Sequence, residues 1–155
     1  MPRDHSGEEL WNMIRSKVQH EASWIQHQVS WHLATNAFLF SAYAVLIVSA
    51  SSRVDEPSLA ALVLLLLIPL VGTLFSTFVY IGVIAATREI GNALREWETL
   101  GPDQEARSRL PAIQMGRSSL KLAGFSSTGI SLTAIAMWLV LLGVSGALVF
   151  GNGSH

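Results

Sequence analysis

The chain has no cysteine, which excludes disulfides, thiol nucleophiles and thiolate metal sites together. Charge is also scarce: 14% of its 155 residues are Asp, Glu, Lys or Arg, against roughly 25% in ordinary soluble domains. Residues 33–52, 57–87 and 122–154 contain no charged side chain and no histidine. Carboxylates and basic groups inside a membrane are costly and are kept for moving protons and ions. Their lack argues against secondary active transport by this chain alone. No paired carboxylates, nucleophile–base pair or phosphate loop can be assembled, so no enzyme activity is expected. A formal net charge of -1, with no Lys/Arg block, gives no nucleic-acid partner.

What the chain does have is apolar length. Half of it (50%) is hydrophobic, and about 20 mainly apolar residues are enough to cross the hydrocarbon core as a helix. Lipid offers no partner to a backbone amide, so helices are the natural form of such runs. The expectation is an all-α membrane protein, a single membrane domain over 1–155 in contact with the lipid bilayer. Its three transmembrane helices are placed at about 31–52, 58–86 and 126–150. Charges, histidines and tryptophans are mixed through the first 30 residues, which does not fit a cleavable signal peptide.

The helical pattern continues beyond the spans. Trp11, Ile14, Val18, Ala22, Ile25 and Val29 recur every three to four residues, and no Pro or Gly interrupts 8–50. Ser6 is a candidate N-cap, with Glu8 and Glu9 in the first turn. The second helix is expected from Pro57 or Ser58 to Leu100, before Gly101-Pro102, with Ile90, Leu94 and Trp97 as its apolar stripe. Pro69 and Gly72 mark a place where it can kink. The third is expected to begin near Asp103 or Pro111 and to end near Phe150. Extensions over about 8–30 and 87–125 then form a three-helix bundle in the cytoplasm. Nine of the ten Lys and Arg residues fall before the first span or between the second and third. The positive-inside rule therefore puts the N-terminus in the cytoplasm and the C-terminus outside.

The stretch from His20 through Trp24 to Trp31, followed by Phe38-Leu39-Phe40 and Ala42-Tyr43-Ala44, resembles the N-terminal signature of small bacterial inner-membrane proteins. In these, an acidic residue and a His or Arg precede a Trp, then a Phe-Leu-Phe and an Ala-Tyr pair. The resemblance implies a bacterial inner (plasma) membrane location and brings no assigned activity.

Two stripes separate around the first span. Ser30, Ala34, Ala37, Ser41 and Ala44 are all small and suit close helix packing. Roughly opposite lie Gln28, His32, Thr35, Asn36 and Tyr43. This polar stripe either bonds other helices inside the protomer or lines a water-filled pore in an oligomer. Asn36 and Tyr43 lie near the direction of the apolar stripe, which favours the first. Trp138 sits near mid-span, so it is expected to fill a helix–helix contact with its indole N–H on an acceptor. Gly143, with Gly146 and Ala147, makes a small patch nearby.

His20 and Trp24 are four residues apart, and so are His27 and Trp31. That pairing resembles the sensor and gate of small viral proton channels, and an unperturbed His titrates near pH 6.5. Here the pairs lie at or below the membrane boundary, where Trp24 and Trp31 read more simply as interfacial anchors. His20, His27 and His32 are the pH-responsive candidates. Spacings of seven and five do not bring these histidines together on one helix, and no metal or cofactor is expected.

Three spans do not enclose a conduit, so a homo-oligomer is expected. One reading is an ion-conducting pore lined by the first span. The alternative is a non-conducting accessory or scaffold protein that docks a cytoplasmic protein partner. The orientation has a direct check: a cysteine replacing Ser154 should react with an impermeant maleimide from outside intact cells. Labelling only after the cytoplasmic face is opened would reverse the topology.

Overall fold

The computed structural model describes residues 5–51, 58–100 and 117–151. They form three helices and, among the described residues, no strand: α1 (His5–Ser51), α2 (Leu59–Leu100) and α3 (Arg117–Gly151). At 1.5 Å per residue, α1 and α2 are about 70 and 63 Å long, roughly twice the thickness of a hydrocarbon core. All three are long and apolar enough to cross a membrane.

α1 starts at His5, one residue before Ser6, so Ser6 lies inside the first turn and is not the N-cap. Ser58 does cap α2: its Oγ accepts the Ala61 amide at 3.3 Å and its carbonyl accepts the Leu62 amide at 3.2 Å. Pro69 lies within α2 and is fully buried. Its ring nitrogen donates nothing to the preceding turn, while the Thr73 hydroxyl bonds the Pro69 carbonyl at 2.8 Å. The expected starts of the third helix, Asp103 or Pro111, lie outside the described residues.

The helices pack with α2 in the middle, lying along both partners, whereas α1 and α3 meet only briefly. The buried positions of α2 show why. Leu65, Pro69, Gly72, Ser76, Val79, Val83, Ala86, Ile90 and Ala93 are buried, with alternating spacings of four and three. A repeat of seven keeps one seam turned toward its neighbours along a supercoiled helix. Four of the nine, Gly72, Ser76, Ala86 and Ala93, are small, so the backbones come close enough there for dispersion contacts to hold helices together without help from water. On α3, Ser131, Trp138 and Ser145 are buried at intervals of seven.

Before its charge-free run, α1 packs on the far end of α2. Ile14, Val18, Ile90 and Ala93 form one core, with Leu10, Ile25, Leu94 and Trp97 against it. Arg15 lies 4.9 Å from the Trp11 ring centroid, and Lys17 meets Glu89 at 3.3 Å. Both ends of that ion pair are about half exposed (46% and 52%), so water screens it and apolar packing dominates here. Elsewhere the exterior is oily: Phe38, Val45, Leu59, Phe78, Val140 and Phe150 are all more than 60% exposed. An apolar surface this extensive suits contact with lipid.

Ile14→Ala should cost about 2–5 kcal/mol, through lost contacts and the cavity left behind. Met13→Ala, one position round on the exposed face, should change stability by less than about 0.5 kcal/mol. Chemical unfolding of both variants in the same detergent would check the contrast. Equal losses would mean that this core does not hold the helix pair together.

Candidate functional site

Two polar side chains of the first span, Asn36 and Tyr43, reach α3. The Trp138 indole is fully buried, and its Nε1–H donates to Asn36 Oδ1 at 2.5 Å. An indole N–H can only donate, so the Asn36 amide must present its oxygen to α3 and its nitrogen to its own helix. That nitrogen donates to the His32 carbonyl at 2.8 Å and lies 3.0 Å from His32 Nδ1 and 3.4 Å from Nε2. Seven residues further along each helix, the Tyr43 hydroxyl meets Ser145 Oγ at 2.7 Å and lies 3.4 Å from the Leu141 carbonyl. Both cross-helix pairs are 102 residues apart, as a fixed register between two parallel helices requires.

Aromatic rings fill the space between these bonds. Phe40 stacks on Trp138 with centroids 4.1 Å apart and planes 5° from parallel, and Tyr43 approaches its edge at 6.4 Å and 84°. His32 stacks on Phe75 of α2 at 5.8 Å. Such contacts are worth about 0.5–1.5 kcal/mol each beyond the area they bury. Gly72 supplies the room: a Cβ there would lie 2.5 Å from Trp138 Cδ2 and 2.7 Å from Nε1. Only a residue without a side chain lets the indole lie on the α2 backbone.

The other residues read from the sequence are placed as follows. Of the polar stripe, His32, Asn36 and Tyr43 are buried, and Gln28 and Thr35 are half-buried. Gln28 and Trp24 pack over Gly82, where a Cβ would come within 3.0 Å of both. Gln28 Oε1 is shielded there and, among the described residues, has no donor. Ser30, Ala34, Ala37, Ser41 and Ala44 all face away from the protomer, as does Gly143. His20, His27, Trp24 and Trp31 are exposed on α1 and share no bond with one another among the described contacts. Among the described residues no three metal-ligating side chains converge.

Hydroxyls outside this cluster mostly serve their own helices. Ser41, Thr73, Thr77, Thr87, Ser131 and Thr133 each donate to the carbonyl four residues before, at 2.7–3.2 Å. Such back-bonding satisfies a hydroxyl without water. The sequence reading missed Gly72 as the seat of the indole, taking it for part of a kink. It also missed the pairing of Tyr43 with Ser145. The available signal was the shared interval of seven in 36/43 and 138/145.

No protein-family model matches the chain, and no curated protein or solved structure is detectably similar to it. The Asn36–Trp138 bond can be measured by a double-mutant cycle with Asn36→Leu and Trp138→Phe. Bonds of this kind between membrane helices average about 0.6 kcal/mol and reach about 1.7. The cycle should return a coupling in that range, with the double variant more stable than the single losses sum to. A coupling of zero would mean that the two side chains do not meet.

Proposed function

We propose that the chain is a non-conducting accessory or scaffold membrane protein, which docks a protein partner through the paired helices extending from its spans. The observation that carries this reading is the engagement of Asn36 and Tyr43 by α3 inside one protomer. Water in a pore lined by the first span would need those same polar atoms. Drawing them into a lumen would part α1 from α3 and leave the Trp138 N–H unpaired in a low-dielectric interior, at about 1–3 kcal/mol.

Thr73, Thr77 and Thr133 on the spans back-bond to their own helices, Ser76 Oγ is buried without a partner among the described residues, and the outward faces are apolar. Neither the back-bonding nor the apolar exterior favours a column of water. The extensions favour docking. They have a core of their own in Ile14, Val18, Ile90 and Ala93, and so present a stiff, water-facing rod with exposed Met13, His20 and His27.

The placement we propose is a bacterial inner membrane with the N-terminus in the cytoplasm, from the distribution of Lys and Arg. Self-association is part of the reading: Ser30, Ala34, Ala37, Ser41 and Ala44 are turned outward, where a second copy can approach closely.

Two measurements test it. Purified protein in liposomes should raise ion flux no further than empty vesicles do, from pH 5 to 8. Photo-crosslinkers at exposed Gln19 or His27 should capture a discrete protein in cells, whereas one at Phe78, facing lipid, should not. A reproducible conductance, together with a discrete particle of four or more chains in nanodiscs, would restore the pore lined by the first span.

A further inference from the structure

No Asp, Glu, Lys or Arg occurs in 22–52, 57–87 or 122–154. The middles of these runs fall at or beside Asn36, Gly72 and Trp138. Those are the residues that meet where the buried indole lies on Gly72 and bonds Asn36. A bilayer that hides all three runs therefore has its mid-plane at that contact. Glu21 on α1, Arg88 on α2 and Lys121 on α3 end the runs on one side of the fold. They stand 15–17 residues from the contact, about 22–26 Å along the helices. Lipid headgroups fill the band from about 15 to about 22 Å from a mid-plane. Trp24, which packs over Gly82 close to that band, has the usual depth of an interfacial indole.

Opposite its buried seam, α2 carries an exposed stripe with the same alternation of three and four. Leu74, Phe78, Ile81, Ala85 and Arg88 lie on it, continued two turns later by Arg95. The stripe is apolar down to Ala85 and turns cationic at Arg88. Side chains on a helix tilt toward its N-terminus, and that of α2 lies across the bilayer. The tilt brings the Arg88 guanidinium back toward the headgroups. Two acids stand near its level. Glu89 faces Lys17 at 3.3 Å, and among the described residues neither Glu89 nor Glu21 forms an ion pair with Arg88. An exposed cation thus stands at headgroup depth, directly beneath an oily face.

We propose that this face of α2 seats one phospholipid of the leaflet on the N-terminal side of the chain. The Arg88 guanidinium takes the phosphate, since its planar fork matches two phosphate oxygens. One acyl chain runs from there along Ile81 and Phe78, which are 58% and 73% exposed. Arg95 shares the stripe but stands about 10 Å farther from the mid-plane, beyond the reach of the phosphate.

The test titrates two lipids with identical chains onto the whole protein in detergent and counts bound lipid by native mass spectrometry. One is phosphatidylglycerol and the other a galactosyl diacylglycerol, which has no phosphate. The unaltered protein should bind one phosphatidylglycerol per chain about 10-fold more tightly than the glycolipid, as a hydrogen bond to a charged group allows. Arg88→Gln should bind the two lipids equally, whereas Arg95→Gln should keep the preference. Equal binding by the unaltered protein would overturn the proposal, and that measurement needs no variant to fold. A preference that survives Arg88→Gln would also overturn it. So would equal losses in Arg88→Gln and Arg95→Gln, which would reduce the effect to general attraction between charges. Displacement of the lipid by millimolar inorganic phosphate would give Arg88 to a soluble anion and sink the lipid seat.

Discussion

The bond from the Trp138 indole to Asn36 is the constraint on which the packing of these spans depends. In hydrocarbon neither group has water to turn to, so each must find its partner within the protein. Because the indole can only donate, the orientation of Asn36 follows, with its oxygen toward α3 and its nitrogen toward the His32 carbonyl of its own helix. The same contact sets the register of α1 against α3, repeated seven residues later by Tyr43 and Ser145. It sets α2 as well, since the buried indole has space only where Gly72 removes a side chain. Single bonds of this kind are weak between membrane helices. What they supply is choice among registers that dispersion alone would leave nearly equal.

From that constraint comes a division of labour along the helices. Within the spans, bonds and stacked rings join α1 to α3, small residues join α2 to both, and the outside is apolar. Before the charge-free run of α1, that helix and α2 pack through Ile14, Val18, Ile90 and Ala93. If this pair stands outside the bilayer, as the proposed scaffold requires, water drives its association as in any amphipathic helix pair. In the proposed scaffold, the spans would be held by bonds and close packing in lipid and the paired extensions by burial from water. The parting of α1 and α3 leaves a lateral groove, because α2 lies between them for most of their length.

Much of this architecture is legible in the chain. Uncharged runs mark the helices that can span, and the uninterrupted pattern after Glu8 foretells a first helix far longer than a bilayer needs; it is observed from His5 to Ser51. Trp11, Ile14, Val18 and Ile90 are periodic in sequence and buried in the fold. The N-cap at Ser6 was less legible, because a cap depends on where backbone dihedrals change and serine is also tolerated inside a first turn. Gly72 looked like a hinge because glycine in a helix has several uses. Only the indole lying on it shows which use applies.

Composition and spacing by themselves determined that this is a chain of long apolar helices, without thiols and with three long runs free of charge. Those properties follow from local rules: apolar length, helical period and the cost of a charge in lipid. Tertiary structure alone decided which residues the polar stripe of the first span meets. The angle of Asn36 and Tyr43 near the apolar stripe leans toward a neighbouring helix, but it does not name which helix or which residue. The choice rests on residues about a hundred positions away, Trp138 and Ser145. A side chain's partner across a bundle depends on the register of whole helices, and register is a collective property of every contact along them.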